Sequence, residues 1–445
     1  MRIYIKTLGC DKNIVDSQCA AGLLEDAGHQ LTEDPGSAEA IIVNTCGFIQ
    51  DAKQESIDAI LALAARKDHR QKLIVSGCLS QRYGKELSEL IPEADFFLGV
   101  NDYSRLPEIL CGGTEGEKVF QNPCGRSYEE IGRRLPSGPF FTAPLKISEG
   151  CSNVCSYCSI PAIRGPYRSR KAEDILREAR DLAGTGCREL VLVAQDVTAY
   201  GCDLPGQGHL VRLLEDLCRI EGIRWIRLMY CYEDRISDAL IETIRTQPKI
   251  CKYLDIPLQH SSDSVLARMN RHSTGKSIRQ TITKLRQQIP GIVLRTTLIV
   301  GFPGETKEDF SDLREFVKEM RFERLGVFAY SKEEGTAAAA LPGQIRKDVK
   351  ERRRDRIMEM QQKISMEINR TMEGKTLDVL VEERFPDGSY CGRTSRDAPE
   401  IDNSILFSSE LRLSPGDFVA VEVTDSFDYD LAGVALPEVR HEPAQ

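Results

Sequence analysis

The sequence predicts an α/β protein in three structured parts. A parallel-sheet domain comes first, a longer run of six βα units second, and a small all-β barrel last. Three observations carry this. Short apolar runs alternate with helix-like segments over residues 1–100 and again over 139–345, the pattern of parallel sheets. Between them, residues 101–138 are crowded with glycine and proline, as in a surface linker. From Thr376 onward the segments become short and β-like, with turns at Pro386-Asp387-Gly388 and Pro415-Gly416-Asp417.

A length of 445 residues allows about three domains. An apolar content of 41% is enough for real cores and too high for a disordered chain. No apolar run approaches the ~20 residues that span a bilayer, and the strand-like start lacks a secretion signal. Fifteen cysteines, with at least six placed as metal ligands, suit a reducing cytoplasm. The net charge of -9 argues against a chain that coats nucleic acid.

In the first part three apolar runs end in cysteine: Ile3 onward to Cys10, Ala40 onward to Cys46, and Lys72 onward to Cys78. Helix-like stretches at 13–27 and 50–65 separate them. Ligands gather outside the carboxyl ends of parallel strands, so these three thiols are expected to meet there. Free cysteine is also a common core residue. The repeated position favours a three-thiolate cluster with one iron left open. Cys19, mid-helix by pattern, is read as structural, and Cys111 and Cys124 in the linker receive no role.

The central part opens on a strand, 143–150, followed by Cys151-Ser152-Asn153-Val154-Cys155-Ser156-Tyr157-Cys158. A CxxxCxxC loop offers three soft ligands, which suit an iron–sulfur cluster with a fourth iron free to bind something else. Structural zinc usually shows a second CxxC or CxxH pair, and a disulfide cluster suits a small secreted domain. Five further strand–helix alternations follow. Six units fit an open barrel or a doubly wound sheet. Candidates at strand ends are Gln195, Asp196, Tyr230, Gln259, His260, Arg295 and the turn Gly301-Phe302-Pro303-Gly304-Glu305, whose glycine permits close backbone approach. His260 is read as a loop histidine with its hydrogen bonds made.

Residues 345–369 read as one polar helix, and its basic run as a solvated face. Residues 371–445 carry sixteen acids and six bases, a net of −10. Such a module repels phosphates and suits a basic protein partner.

The cysteine loop matches the motif of the radical S-adenosylmethionine enzymes. With Cys10, Cys46 and Cys78 ahead of it, the whole chain resembles the methylthiotransferases of that group. The resemblance implies an open radical-SAM (β/α)6 barrel, a TRAM domain at the C-terminus, two 4Fe-4S clusters and S-adenosylmethionine. It makes Cys151, Cys155 and Cys158 ligands of the catalytic cluster, and Cys10, Cys46 and Cys78 ligands of an auxiliary one. It also implies cofactor contacts at Tyr157, Gln195, Arg295 and Gly301. The stretches Leu145-Lys146-Ile147-Ser148-Glu149-Gly150, Asp397-Ala398-Pro399-Glu400-Ile401-Asp402 and Tyr429-Asp430-Leu431-Ala432-Gly433 resemble the branch that acts on a ribosomal protein.

For that branch the expected reaction adds a methylthio group to the β-carbon of an aspartate in protein twelve of the small ribosomal subunit. That carbon is unactivated, which calls for radical chemistry carried by a cofactor. Flavodoxin or ferredoxin is the expected electron donor. The alternatives are the branch that modifies an adenosine in transfer RNA, and a non-enzymatic iron–sulfur carrier. The expected domains are 1–100 with the auxiliary cluster, a linker at 101–138, the radical SAM domain at 139–370, the TRAM domain at 371–437 and a tail at 438–445.

Overall fold

A computed structural model describes residues 1–113, 116–125, 128–136 and 140–437. The expected tail, 438–445, lies outside the described residues, as do Gly138 and Pro139.

The first sheet is parallel, with strands β1 (Arg2–Thr7), β2 (Gln30–Leu31), β3 (Ala40–Thr45), β4 (Lys72–Gly77), β5 (Phe96–Leu98) and β6 (Val119–Phe120) in the order β2-β1-β3-β4-β5-β6. All six residues of β3 are buried, so its apolar run Ala40–Val43 does not alternate and only the last two residues, Asn44 and Thr45, are polar. Helix α1 (Asp11–Asp26) covers one face through Ala20 and Leu24. Helices α2 (Gln50–Ala64) and α3 (Cys78–Leu90) cover the other through Ile60, Leu79 and Leu87.

The segment read as linker differs from expectation in its first half. Helix α4 (Leu106–Leu110) buries Leu106, Ile109 and Leu110 in this core, and Phe97 and Leu98 pair with Val119 and Phe120. A two-residue edge strand among glycines is too short for any periodicity to register.

The second sheet consists of β7 (Thr142–Lys146), β10 (Glu189–Val193), β11 (Trp225–Leu228), β12 (Ile250–Asp255), β13 (Val293–Val300) and β14 (Arg324–Ala329), in the order β14-β13-β12-β11-β10-β7. Between β7 and β10 lies a small pair, β8 (Ser148–Glu149) with β9 (Arg168–Ser169). Strand order follows sequence order without the reversal that a doubly wound sheet requires, so this is the open six-unit barrel. Its outer face packs on α6 (Ala172–Gly184), α7 (His209–Cys218), α8 (Asp238–Thr246), α10 (Gly275–Gln288) and α11 (Lys307–Met320). A short α9 (Asp263–Arg268) and the long α12 (Lys347–Arg370) complete the layer. Of the bases of α12, Arg352 pairs with Asp348 on the solvated face, whereas Arg353 reaches the buried Glu305 and the buried Lys350 donates to Tyr330 O, so the basic run is solvated only in part.

The C-terminal barrel closes as β15-β16-β17-β19-β18, from β15 (Thr376–Arg384), β16 (Tyr390–Thr394), β17 (Ile405–Ser408), β18 (Phe418–Ser426) and β19 (Leu431–Ala435). It seals the amino end of the six-stranded barrel. Leu380, Ala398 and Phe418 join Trp225, Tyr253 and Val293 in one apolar cluster, with the Trp225 and Phe418 rings edge to face at 4.8 Å.

The same junction holds a buried ionic triad. Glu189 accepts from Arg227 Nε at 2.8 Å and from Arg393 Nη2 at 2.6 Å. Burial pushes its carboxyl up, but Arg393 and Arg227 together outweigh burial and hold it down to about 2. A carboxyl held below its ordinary value of 4.5 gives stability that is full above that pH and is lost as pH falls toward 2. Acid unfolding followed by circular dichroism is therefore expected to be shallower between pH 4.5 and 2 for Glu189→Gln than for the parent.

Candidate active site

Each thiol of the first group sits where a strand of the first sheet ends. Cys10 caps α1, Cys46 follows β3, and Cys78 is the first residue of α3. Tight turns bring the three strand ends together. Gly9 has φ +94°, and a Cβ there would lie 2.9 Å from Cys46 Cβ. Gly77 has the same φ, and its Cβ would lie 2.6 Å from Thr45 O. Burial pushes Cys78 up to about 11, opposed by Arg164 and reinforced by the neighbouring Cys10 and Cys46 thiols. Cys10 caps α1 and Cys78 opens α3, so both thiols stand at helix N-termini.

Asn13 frames this group. Its Nδ2 donates to Leu8 O at 2.8 Å and Thr45 O at 3.1 Å. The Ser56 hydroxyl meets both N and O of Cys46, at 3.0 and 3.1 Å.

The second group sits on the loop after β8, which turns at Gly150 with φ +76°. Neighbouring elements pin its backbone: Cys151 N donates to Gly165 O at 3.0 Å, Ser156 N to Met269 O at 2.9 Å, and Asn270 Nδ2 to Val154 O at 2.8 Å. Asn153 is clamped between Asp196 at 2.9 Å and Arg235 at 3.0 Å. Burial pushes Cys151 up to about 11 and Cys158 up to about 12. Tyr232 Oη lies 3.2 Å from Cys155 Sγ, and its ring lies under the Arg271 guanidinium at 3.9 Å. Glu233 holds that guanidinium at 2.6 Å.

The first domain is tethered across the carboxyl edge of the six-stranded barrel, so the two groups share one interface. At the β7 side, Lys146 Nζ meets Asp16 Oδ1 at 2.5 Å, and Arg164 Nη2 meets Asp16 Oδ2 at 3.0 Å. At the centre, Lys12 donates to Ala194 O at 3.2 Å and lies 3.6 Å over the Tyr230 ring. At the β14 side, Lys53 meets Glu333 at 2.7 Å.

The remaining sequence candidates fall unevenly around this interface. Gln195 lies at the end of β10. Its Nε2 donates to Glu149 Oε1 at 2.9 Å, while its buried Oε1 has no donor among the described residues. Tyr157 stacks edge to face on Phe302, which in turn meets Tyr330. Gly301 turns with φ +72°, and the space a Cβ would take there is filled by the Lys350 side chain at 2.3 Å. Arg295 is the third residue of β13, not at its end. It is committed to Asp255 at 2.9 Å and to Asp402 of the C-terminal barrel at 3.3 Å. His260 is buried, which lowers its imidazole to about 3; Nδ1 accepts from Ser262 N at 3.0 Å, but Nε2 has no partner among the described residues, so its hydrogen bonds are only half made, unlike the expectation. Sequence patterns did not single out Tyr232, Arg271, Glu149 or Arg164 individually. Arg164 lies six residues after Cys158, and that nearness to the cysteine loop is the one local signal that could have found it.

Beside Cys10 lie two hollows of about 330 and 900 Å³, sharing Ile14, Gln18, Pro136 and Glu400. Exposed carboxylates line them, Glu33 from the first domain and Glu383 and Glu400 from the C-terminal barrel.

All fifteen cysteines are free thiols. Among the described residues no three His, Cys, Asp or Glu side chains are grouped to hold a single metal ion. A four-iron cluster gives each thiolate its own iron, a wider arrangement than one shared ion. Two sets of three thiols, Cys78 and Cys151 buried and the other four half-buried, fit such a donor set in type and number. No helix among the described residues is long and apolar enough to cross a membrane.

Three family models match the chain: Uncharacterized protein family UPF0004 over residues 2–99, the Radical SAM superfamily over 145–317, and the TRAM domain over 374–436. A Clostridium botulinum protein named ribosomal protein uS12 methylthiotransferase RimO is 49% identical over 442 residues, covering 99% of each chain. Proteins of the same name from Pelobacter propionicus and a Thermoanaerobacter species are 50% and 48% identical. Their alignments cover 97% of each chain for the first, and 97% of this chain and 99% of the relative for the second. Among solved structures, the radical S-adenosylmethionine methyltransferase TsrM from Kitasatospora setae superposes with a TM-score of 0.56 at 14% identity, over 74% of this chain and 72% of that one. The cobalamin-dependent radical enzyme OxsB gives 0.51 at 14% identity, over 82% and 56%. At that identity both show the fold alone.

Proposed function

The chain belongs to the RimO family of ribosomal protein uS12 methylthiotransferases, radical S-adenosylmethionine enzymes, and from that premise we propose that it transfers a methylthio group to the β-carbon of an aspartate in uS12. The observation that carries this is the pairing of two three-thiol groups, each with one buried member, across one domain interface. Cys151, Cys155 and Cys158 would hold one 4Fe-4S cluster, and Cys10, Cys46 and Cys78 a second. When bound, these groups supply one-electron cleavage of S-adenosylmethionine, hydrogen abstraction from an unreactive carbon, and an iron site for the incoming sulfur.

The chain's own residues bind, orient and exclude water. Asp196, Asn153 and Arg235 fix the shape of the cysteine loop, so its thiols are preorganised. Tyr232 places a hydroxyl on Cys155, and the Glu233–Arg271 pair holds the tyrosine ring in place. Gln195 Oε1 offers a buried acceptor for a donor group of S-adenosylmethionine. Tyr157, Phe302 and Tyr330 form an aromatic cluster that joins the cysteine loop to the ends of β13 and β14. The first domain covers the carboxyl edge and keeps bulk water from the reacting carbon.

Ribosomal proteins are basic, and the acidic lining at Glu33, Glu383 and Glu400 would receive such a partner. Replacing Glu383 and Glu400 together with lysine is expected to raise KM for uS12 several-fold in low salt, with the gap closing as salt rises. An unchanged salt profile in steady-state assays would remove the acidic lining from the account. A cytoplasmic flavodoxin or ferredoxin would supply the electrons.

The deciding test offers purified, reconstituted enzyme both uS12 and transfer RNA, with mass spectrometry of each. Methylthiolated uS12 and unmodified RNA are expected; modified RNA alone would assign the chain to the RNA branch.

A further inference from the structure

Resting on the reading that Cys10, Cys46 and Cys78 hold a cluster, we propose that Arg164 is a positioning residue of that auxiliary cluster. Its guanidinium, carried by the barrel domain, hydrogen-bonds the Cys78 thiolate and raises the cluster's reduction potential.

Arg164 ends helix α5 (Ile160–Arg164), six residues after Cys158, and is one of the largest fully buried side chains. Gly165 follows with φ +74°, and a Cβ there would lie 1.8 Å from Cys124 Sγ, so the turn that aims Arg164 requires glycine. Nε of Arg164 lies 3.3 Å from Cys78 Sγ. The other nitrogens are committed: Nη1 to Glu149 Oε2 at 2.9 Å, and Nη2 to Asn13 Oδ1 at 2.7 Å and Asp16 Oδ2 at 3.0 Å. A planar fork gripped on one edge by three acceptors leaves its Nε–H no freedom but to face the sulfur.

The charges around it make this contact matter. Lys146 meets the same two acids, Asp16 at 2.5 Å and Glu149 at 3.0 Å. Two bases and two acids cancel before the thiolate is counted. The thiolate therefore enters a buried, balanced setting in which the Arg164 N–H is its directed partner. A hydrogen bond to a ligating sulfur draws off electron density and stabilises the reduced cluster, which raises its potential. Glu149 also accepts from Gly150 N at 3.2 Å, next to Cys151. One side chain thus ties the sulfur of one thiol group to the strand that presents the other. An arginine present only to join two domains would need its carboxylates and not the sulfur.

The test uses the full chain with Cys151, Cys155 and Cys158 replaced by alanine, reconstituted anaerobically so that only the auxiliary cluster forms. Potentiometric titration followed by electron paramagnetic resonance is expected to give a lower potential for Arg164→Lys and Arg164→Met than for this parent. Arg170→Lys, at a guanidinium held by Glu130, Glu178 and Lys146 O with no contact to a thiol of either group among the described residues, is expected to give none. In the parent, resonance Raman spectra in light and heavy water should show an Fe–S(Cys) stretch that moves on deuteration. An unmoved stretch, an unchanged potential with iron content intact, or an equal shift in Arg170→Lys overturns the proposal. Failure of the parent to bind about four irons removes instead the two-cluster reading beneath it, and this inference with it.

Discussion

Alanine in place of Cys46 is expected to abolish methylthio transfer to uS12 while S-adenosylmethionine cleavage continues. Cys46 is well suited to this separation. Its backbone N and O are both tied to the Ser56 hydroxyl, so the strand end stays in place when the thiol is removed. What is lost is one of three ligands at the auxiliary site, too few to retain a cube. The other thiol group, on the loop held by Asp196, Met269 and Gly165, is untouched. Liquid chromatography should detect 5′-deoxyadenosine at near-parent rates, and mass spectrometry no methylthiolated product. Cys155→Ala is expected to lose both. Retention of transfer in Cys46→Ala, or loss of cleavage with it, would break the division of labour between the groups.

Glu189→Gln is expected to be the most destabilising single change at the junction between the two barrels. Glu189 is fully buried at the start of β10 and receives Arg227 from one side and Arg393 from the other. Removing one member of such a buried set leaves an uncompensated charge, at a cost of about 3–5 kcal/mol. At roughly 2–3 °C per kcal/mol in a unit of this size, the unfolding midpoint should fall by roughly 6–15 °C. The double variant with Arg393→Met should lose less than the sum of the two single changes, because the orphaned guanidinium is gone. Additive losses in differential scanning calorimetry would show that the pair is not coupled.

What the sequence made legible follows from what is local. The cysteine loop, the three strand-end cysteines and most of the helices lie in contiguous patterns, and the structure places all six thiols on strand-end turns. Helix α11 (Lys307–Met320) buries Phe310, Leu313, Phe316, Val317 and Met320, an apolar spacing visible in the sequence itself. Strands β17 and β19 did not register, because each is only four or five residues long and lies among serine, asparagine and aspartate. Edge strand β6 was lost among glycines in the same way.

The residues that organise the site were hidden for a different reason. Arg164, Glu149, Asp16 and Asn13 act together across some 150 positions of sequence, and no local period reports such a meeting. Arg295 misled because a charged residue within an apolar strand resembles a strand-end residue. In the folded chain it faces the inside of the barrel, where Asp255 and Asp402 neutralise it. Asp402 and Asp397 likewise dock the C-terminal barrel, through Tyr253 at 2.6 Å and Arg324 at 3.1 Å.

The central claim is that both thiol groups carry iron. Iron and sulfide analysis of the anaerobically reconstituted full chain, together with alkylation of its accessible thiols, tests it directly. About eight irons per chain, with Cys10, Cys46, Cys78, Cys151, Cys155 and Cys158 all protected from the reagent, is the predicted result. About four irons, with Cys10, Cys46 and Cys78 alkylated, would contradict it.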